Sequence, residues 1–195
     1  MSSDSLHVVL GDDDYLVRQR AKEIYDEHCK TFPDDLSREI IDGRADRVED
    51  VEKILNEARS ACQTLSLFGG GQLVWINEAN FLNQTKTGAA QGSKDALEAA
   101  KPFLENLGDS KLILSACPIH RNHTFIKWLK DNSIYEDVAK QEKEDVSFRR
   151  LAEATAGECG VDFASGAVEF LAGKIGGHSR LGVEETRKLA SYLGK

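Results

Sequence analysis

Short apolar runs separated by helix-length stretches are the feature that most constrains the fold of this 195-residue chain. The first run, residues 6–10, is closed by Gly11 and followed by an apolar stripe with helical spacing. Similar runs recur at 38–43, 72–76, 111–116 and 133–138. Runs of this length are typical of buried strands, and strands that alternate with helices form parallel sheets. The sequence predicts an α/β domain with a parallel five-stranded sheet covered by helices on both faces.

The alternation ends at a charged segment, residues 139–145. Beyond it the apolar spacing predicts three helical stretches, at 147–159, 162–173 and 181–193, and no further strand. We therefore expect an α/β domain over residues 1–140 and a small helical domain over residues 141–195. Within the first domain, residues 83–94 are polar, small and glycine-containing, which predicts a mobile surface excursion before a helix over about 94–107.

The turn after the first strand is where an α/β nucleotide-binding domain would hold phosphate. Here it carries Asp12, Asp13 and Asp14 and lacks the G-x-x-x-x-G-K-[ST] pattern. Three carboxylates would repel a triphosphate, but they suit the positive end of the following helix. They could in principle hold a divalent cation, although consecutive side chains at a helix start point in different directions. We expect solvated helix charges and no nucleotide site at this turn.

The stretch 64–72, TLSLFGGGQ, joins a predicted helix to the third predicted strand. Leu67 and Phe68 are large and apolar, yet Gly69, Gly70 and Gly71 follow them directly. In one interpretation, glycine ends the helix and the pair covers its last turn. In the other, the glycines let a loop present the pair outward. The glycine run does not follow a strand, which excludes the dinucleotide-binding fingerprint.

Cys117, His120 and His123 are three potential metal ligands within seven residues. A zinc site needs a fourth ligand or an open catalytic position with an orienting second shell, and the nearby sequence offers no further pair. We expect a surface turn without a metal, whose basic Arg121 and Lys127 could make a weak phosphate or partner contact.

Bulk properties narrow the class of protein further. A net charge of −8 argues against a dedicated nucleic-acid surface. No stretch approaches the ~18 apolar residues of a membrane span. The four cysteines are far apart and form no C-x-x-C pair, which favours a reduced, cytoplasmic protein.

Four segments together resemble the delta subunit of the bacterial DNA polymerase III clamp loader. They occur in order as VLGDDDYL at 9–16, SLFGG at 66–70, LILSA at 112–116 and ETRKLASY at 185–192. The resemblance implies an AAA+ module of the P-loop type that lacks Walker A, has no ATPase activity and needs no cofactor. It also implies a three-helix lid over 141–195, and a C-terminal collar domain that this chain does not contain. The parent complex of that family is a DNA-directed DNA polymerase holoenzyme, a nucleotidyltransferase.

The resemblance further implies a role for the stretch 64–72. In the family, this loop inserts a Leu-Phe pair into a pocket on the sliding clamp and holds one clamp interface open. By position the plug is Leu67 and Phe68, with Leu65 as a supporting contact and residues 69–71 as a flexible mount. The chain departs from the family at Gly71, where a basic residue is frequent, and at His178, where an acidic residue is common.

The implied partners are the sliding clamp (beta subunit) and other clamp-loader subunits of the gamma/tau and delta-prime types. DNA would be contacted only through the assembled complex, and no membrane is involved. The alternatives are another inactive AAA+ adaptor, or a nucleotide-dependent enzyme domain with an unusual phosphate site.

Overall fold

The computed structural model describes residues 3–64, 70–138, 144–176 and 178–194. The chain divides into two compact units, Met1–Val138 and Ala139–Lys195. None of the helices in the described part of the chain is long and apolar enough to cross a membrane.

The first unit is built on a five-stranded sheet with the order β2-β3-β4-β1-β5. Every neighbouring pair of strands is parallel. The strands are β1 (Ser3–Leu10), β2 (Arg38–Asp42), β3 (Leu73–Asn77), β4 (Lys111–Ala116) and β5 (Ser133–Asp137). The predicted α/β fold with a parallel five-stranded sheet is confirmed.

Helices lie on both faces of the sheet. They are α1 (Asp14–His28), α2 (Val48–Gln63), the short α3 (Lys86–Ala89), α4 (Gln91–Glu105) and α5 (Thr124–Asn132). Apolar side chains of α2, α4 and α5 form one core with one face of the sheet. On the other face, α1 packs against Val9, Leu73, Trp75 and Ile113. This second face is covered by fewer helices, and Ile40 on the edge strand β2 stays 55% exposed.

The prediction of a mobile surface excursion over residues 83–94 overlooked regular secondary structure. This segment contains α3 and the first turn of α4. The Thr85 hydroxyl accepts a hydrogen bond from the Gly88 N–H (2.9 Å), and the Thr87 hydroxyl donates to the Asp46 carbonyl (2.7 Å). Gly88 and Ser93 are buried. The small polar residues allow close packing, which their composition alone does not reveal.

The second unit contains α6 (Glu144–Glu158), α7 (Ala167–Ile175) and α8 (Ser179–Tyr192). Its core is formed by Phe148, Ala152 and Val168. A Cβ added to Gly182 of α8 would come within 2.5 Å of the Phe148 ring, so glycine allows α8 to approach α6. Helix α7 begins five residues later than predicted, after Gly166 in the left-handed conformation (φ 79°).

Candidate functional site

The segment that carries the candidate plug joins the end of α2 to the start of β3, and β3 begins at the edge where the amino ends of the parallel strands meet. Leu65, Leu67, Phe68 and Gly69 lie outside the described residues. The described chain stops at Thr64, which ends α2, and resumes at Gly70. Both ends of the segment can therefore be located, and its site role stays a prediction.

Buried hydrogen bonds hold the two ends of this segment together. The Ser110 hydroxyl donates to the carbonyl of Cys62 in α2 (2.7 Å) and accepts the N–H of Gln72 (2.9 Å). The Gln72 side chain donates to the Thr64 carbonyl through Nε2 (3.3 Å). Gln72 and Ser110 are both buried. We call these residues, Cys62, Thr64, Gln72 and Ser110, the loop base.

Gly70 and Gly71 have different surroundings. Gly70 is exposed, has a φ of 94° and would have open space around an added Cβ. A Cβ on Gly71 would lie 2.2 Å from the carbonyl carbon of Asp109 and 2.3 Å from the backbone nitrogen of Ser110. The backbone before β4 thus passes directly against Gly71. Close packing therefore explains why residue 71 is a glycine. The interpretation of residues 69–71 as a flexible mount does not explain this.

The turn after β1 lies at the opposite edge, where the carboxyl ends of the strands meet. In parallel α/β sheets this edge is the usual place for a ligand. Asp13 caps α1, since its carboxylate accepts the Leu16 N–H (3.0 Å). Arg121 pairs with Asp12 (2.5 Å) and also with the buried carboxylate of Asp137. The Leu16 N–H, which a bound anion could use, is therefore already bonded to Asp13. The nearby Arg121 guanidinium is likewise already paired with carboxylates.

A second cluster at the same edge follows β3. Glu78 has a φ of 60°, a left-handed conformation that is strained for a residue with a side chain. Its carboxylate lies 3.8 Å from Arg18 and 3.9 Å from Arg44, and Arg44 also pairs with Asp42. The Arg44 guanidinium holds the pKa of the Asp42 carboxyl below its usual range. Sequence reasoning missed this cluster because its members come from three separate segments of the chain, at residues 18, 42–44 and 78.

The segment with Cys117, His120 and His123 has a structural role. His123 caps α5, where its Nδ1 accepts the Phe125 N–H (3.2 Å), and burial lowers the pKa of His123. Burial, followed by the nearby aspartates of the first turn, raises the pKa of Cys117 to about 12, so the thiolate is disfavoured. Within the described ranges, no group of three or more His, Cys, Asp or Glu side chains is placed to hold a metal ion.

The sheet order, the helices on both faces and the acidic first turn define a doubly wound α/β protein in which the usual phosphate-binding turn carries carboxylates. The family model described as "DNA polymerase III, delta subunit" matches residues 7–148. The chain belongs to this family, and the resemblance seen in the sequence is confirmed.

A structural comparison agrees with this assignment at the level of the fold. The "Bacillus subtilis DNA clamp loader delta protein (YqeN)" matches with a TM-score of 0.58 at 18% sequence identity. The match covers 98% of this chain and 54% of that chain, so this chain spans about half the length of that solved relative. A search of curated proteins finds no match.

Proposed function

We propose that this chain is part of a clamp-loader delta subunit that binds the sliding clamp through Leu67 and Phe68 and opens its interface during DNA replication. Leu65 supplies a supporting apolar contact. The observation that carries the proposal is the family match over residues 7–148, which includes the whole stretch from α2 to β3. The segment is five residues long (65–69) and contains three large apolar side chains.

The energetics of burial are compatible with a two-residue plug. Burying one Leu or Phe side chain contributes about 1.5–3 kcal/mol, so the pair supplies about 3–6 kcal/mol. A micromolar complex has a binding free energy of about 8 kcal/mol, after the costs of association. Leu67 and Phe68 would therefore be hot spots within a larger contact surface. The end of α2 and residues 69–71 are the parts of the chain next to the pair that would contribute to this surface.

The subunit itself would not hydrolyse ATP. At the first turn, Asp12, Asp13 and Asp137 engage a helix N–H and the Arg121 guanidinium, two groups that could otherwise contact phosphate. Subunits of the gamma/tau and delta-prime types would complete the complex, and DNA would be contacted through that cytoplasmic assembly. An ATP titration of the purified chain separates this proposal from a nucleotide-dependent enzyme. We expect no saturable binding and no hydrolysis. Saturable ATP binding, or ATP hydrolysis, would favour the nucleotide-dependent enzyme.

The plug is tested by titrating the bacterial sliding clamp with the chain and with a Leu67→Ala, Phe68→Ala variant. We expect the variant to bind at least about 100-fold more weakly, because about 3 kcal/mol or more of apolar burial is removed. Its melting temperature should not change. The matched control is Leu36→Ala, Ile40→Ala, which removes two apolar side chains that are 77% and 55% exposed on the same unit.

If the Leu67→Ala, Phe68→Ala variant binds the clamp as tightly as the unsubstituted chain, the proposal is wrong. A large fall in the melting temperature of the plug variant would instead place Leu67 and Phe68 in the core. A loss of clamp affinity in the control variant would place the contact surface at Leu36 and Ile40.

A further inference from the structure

We propose that Ser110 and Gln72 are positioning residues for the clamp-binding segment, in addition to their place in the fold. The inference rests on the proposed function, because it assigns them a role in presenting Leu67 and Phe68. Neither residue belongs to the plug, and the two come from different parts of the chain, 38 residues apart.

The Ser110 hydroxyl joins the two sides of the segment. As donor it bonds the Cys62 carbonyl, three residues before Leu65, and as acceptor it bonds the N–H of Gln72, three residues after Gly69. Ser110 is 1% exposed, so both bonds form away from water. One buried hydroxyl thus fixes the distance between the end of α2 and the start of β3.

The Gln72 side chain closes the base a second time. Its Nε2 donates to the carbonyl of Thr64, the residue directly before the segment, and the Thr64 hydroxyl donates back to Ser60 in α2. Gln72 is a buried polar residue directly before the apolar run of β3. Burying an amide is unfavourable unless it is hydrogen-bonded. The Gln72 side-chain amide bonds to the end of α2, and this bond is not one of the hydrogen bonds between strands.

Fixing both ends of a short segment limits the conformations that its side chains can adopt before binding. Binding then orders fewer groups, and preorganisation of this kind increases affinity without adding a contact. The loop base should therefore change clamp affinity although it lies behind the plug. Its effect should also depend on the plug, because Ser110 acts through the side chains that the segment carries.

The experiment compares Ser110→Ala and Gln72→Met with the unsubstituted chain in clamp titrations. Ser133→Ala is the matched control, because it removes another buried serine hydroxyl. Ser133 is the first residue of β5, and its hydroxyl donates to the Leu129 carbonyl (2.6 Å). We expect Ser110→Ala to weaken clamp binding about tenfold and Ser133→Ala to leave it unchanged, at a similar loss of thermal stability. Gln72→Met provides a second reading if Ser110→Ala does not fold.

Two further measurements separate positioning from general destabilisation. In a Leu67→Ala, Phe68→Ala background, the effect of Ser110→Ala on affinity should shrink to less than about threefold, since both plug side chains are gone. Amide hydrogen exchange of Gly70, Gly71 and Gln72, measured without the clamp, should accelerate about tenfold or more in Ser110→Ala, but not in Ser133→Ala.

Unchanged clamp affinity in both loop-base variants, while the plug variant still loses binding, would overturn the positioning role and leave the proposed function intact. Equal losses in Ser110→Ala and Ser133→Ala would also overturn it. If the plug variant binds as well as the unsubstituted chain, the proposed function fails, and the positioning role fails with it.

Discussion

Replacing Gly71 with alanine should destabilise the first unit strongly. The new Cβ would lie 2.2–2.3 Å from backbone atoms of Asp109 and Ser110, where ordinary contacts begin at 3.4 Å. Backbone cannot rotate away as a side chain can, so the two segments must separate by roughly 1 Å. That movement stretches the bond from the Gln72 N–H to Ser110 (2.9 Å) and the bond from the Lys111 N–H to the Gln72 carbonyl (2.8 Å).

The expected magnitude follows from these two effects. Overpacking costs about 1–3 kcal/mol, and each weakened hydrogen bond adds up to about 1 kcal/mol, so we expect a loss of about 3 kcal/mol. For a domain of this size that corresponds to a fall in melting temperature of roughly 6–12 °C. Both tryptophans, Trp75 and Trp128, lie in the first unit, so tryptophan fluorescence during urea or thermal unfolding reports on it directly.

Gly70→Ala is the control for this prediction. Gly70 has a φ of 94° and open space around it, so alanine there adds only backbone strain, about 1–2 kcal/mol. Gly71→Ala should therefore be the more damaging substitution of the two neighbours. Equal losses, or a milder effect at Gly71, would refute the packing explanation.

Other predictions concern titratable groups. Burial is the first cause that lowers the pKa values of His7, His28 and His123, so the unfolded chain binds protons that the folded chain excludes. Their contribution to stability is present above a pH of about 6.5 and is lost as the pH falls below it, so the urea midpoint should decrease between pH 7.5 and 5.5; an unchanged midpoint would contradict this. Burial raises the pKa of Cys62 to about 12, so iodoacetamide at pH 8 should label Cys62 only after unfolding, as mass spectrometry of the peptides can show. Arg121→Ala should cost about 2 kcal/mol in urea unfolding, because it leaves a buried carboxylate without its cation; a loss of less than about 0.5 kcal/mol would mean that the pair is solvated.

The sequence was sufficient to predict the central strands of the sheet because strands buried on both faces must be apolar along their whole length. Leu73–Ile76 and Leu112–Leu114 show this directly. The prediction was incomplete at residues 83–94, which contain helical turns and bury Gly88 and Ser93 while Gln84 and Lys86 stay exposed. Local composition cannot distinguish the buried from the exposed positions, since the partners of Gly88 and Thr87 are set by tertiary structure.

The candidate site also has parts that the sequence predicts and parts that it does not. The Leu-Phe pair and its glycines can be recognised because they are consecutive in the sequence. The loop base cannot, since Ser110 is 48 residues from Cys62 and meets it only when β4 is placed beside β3. The bond between Arg121 and Asp12 spans 109 residues and is equally invisible to local patterns. Glu78 gives no sequence signal for its left-handed backbone.

Site-specific photocrosslinking tests the central claim most directly. A benzophenone amino acid is placed at position 68 in one variant and at position 36, an exposed leucine of the same unit, in another. Irradiation with the sliding clamp should give a covalent adduct from position 68, mapped by mass spectrometry to one apolar pocket of the clamp, and none from position 36. An adduct from position 36 alone, or no adduct from position 68 under conditions where the chain binds the clamp, would contradict the assignment of Leu67 and Phe68 as the plug.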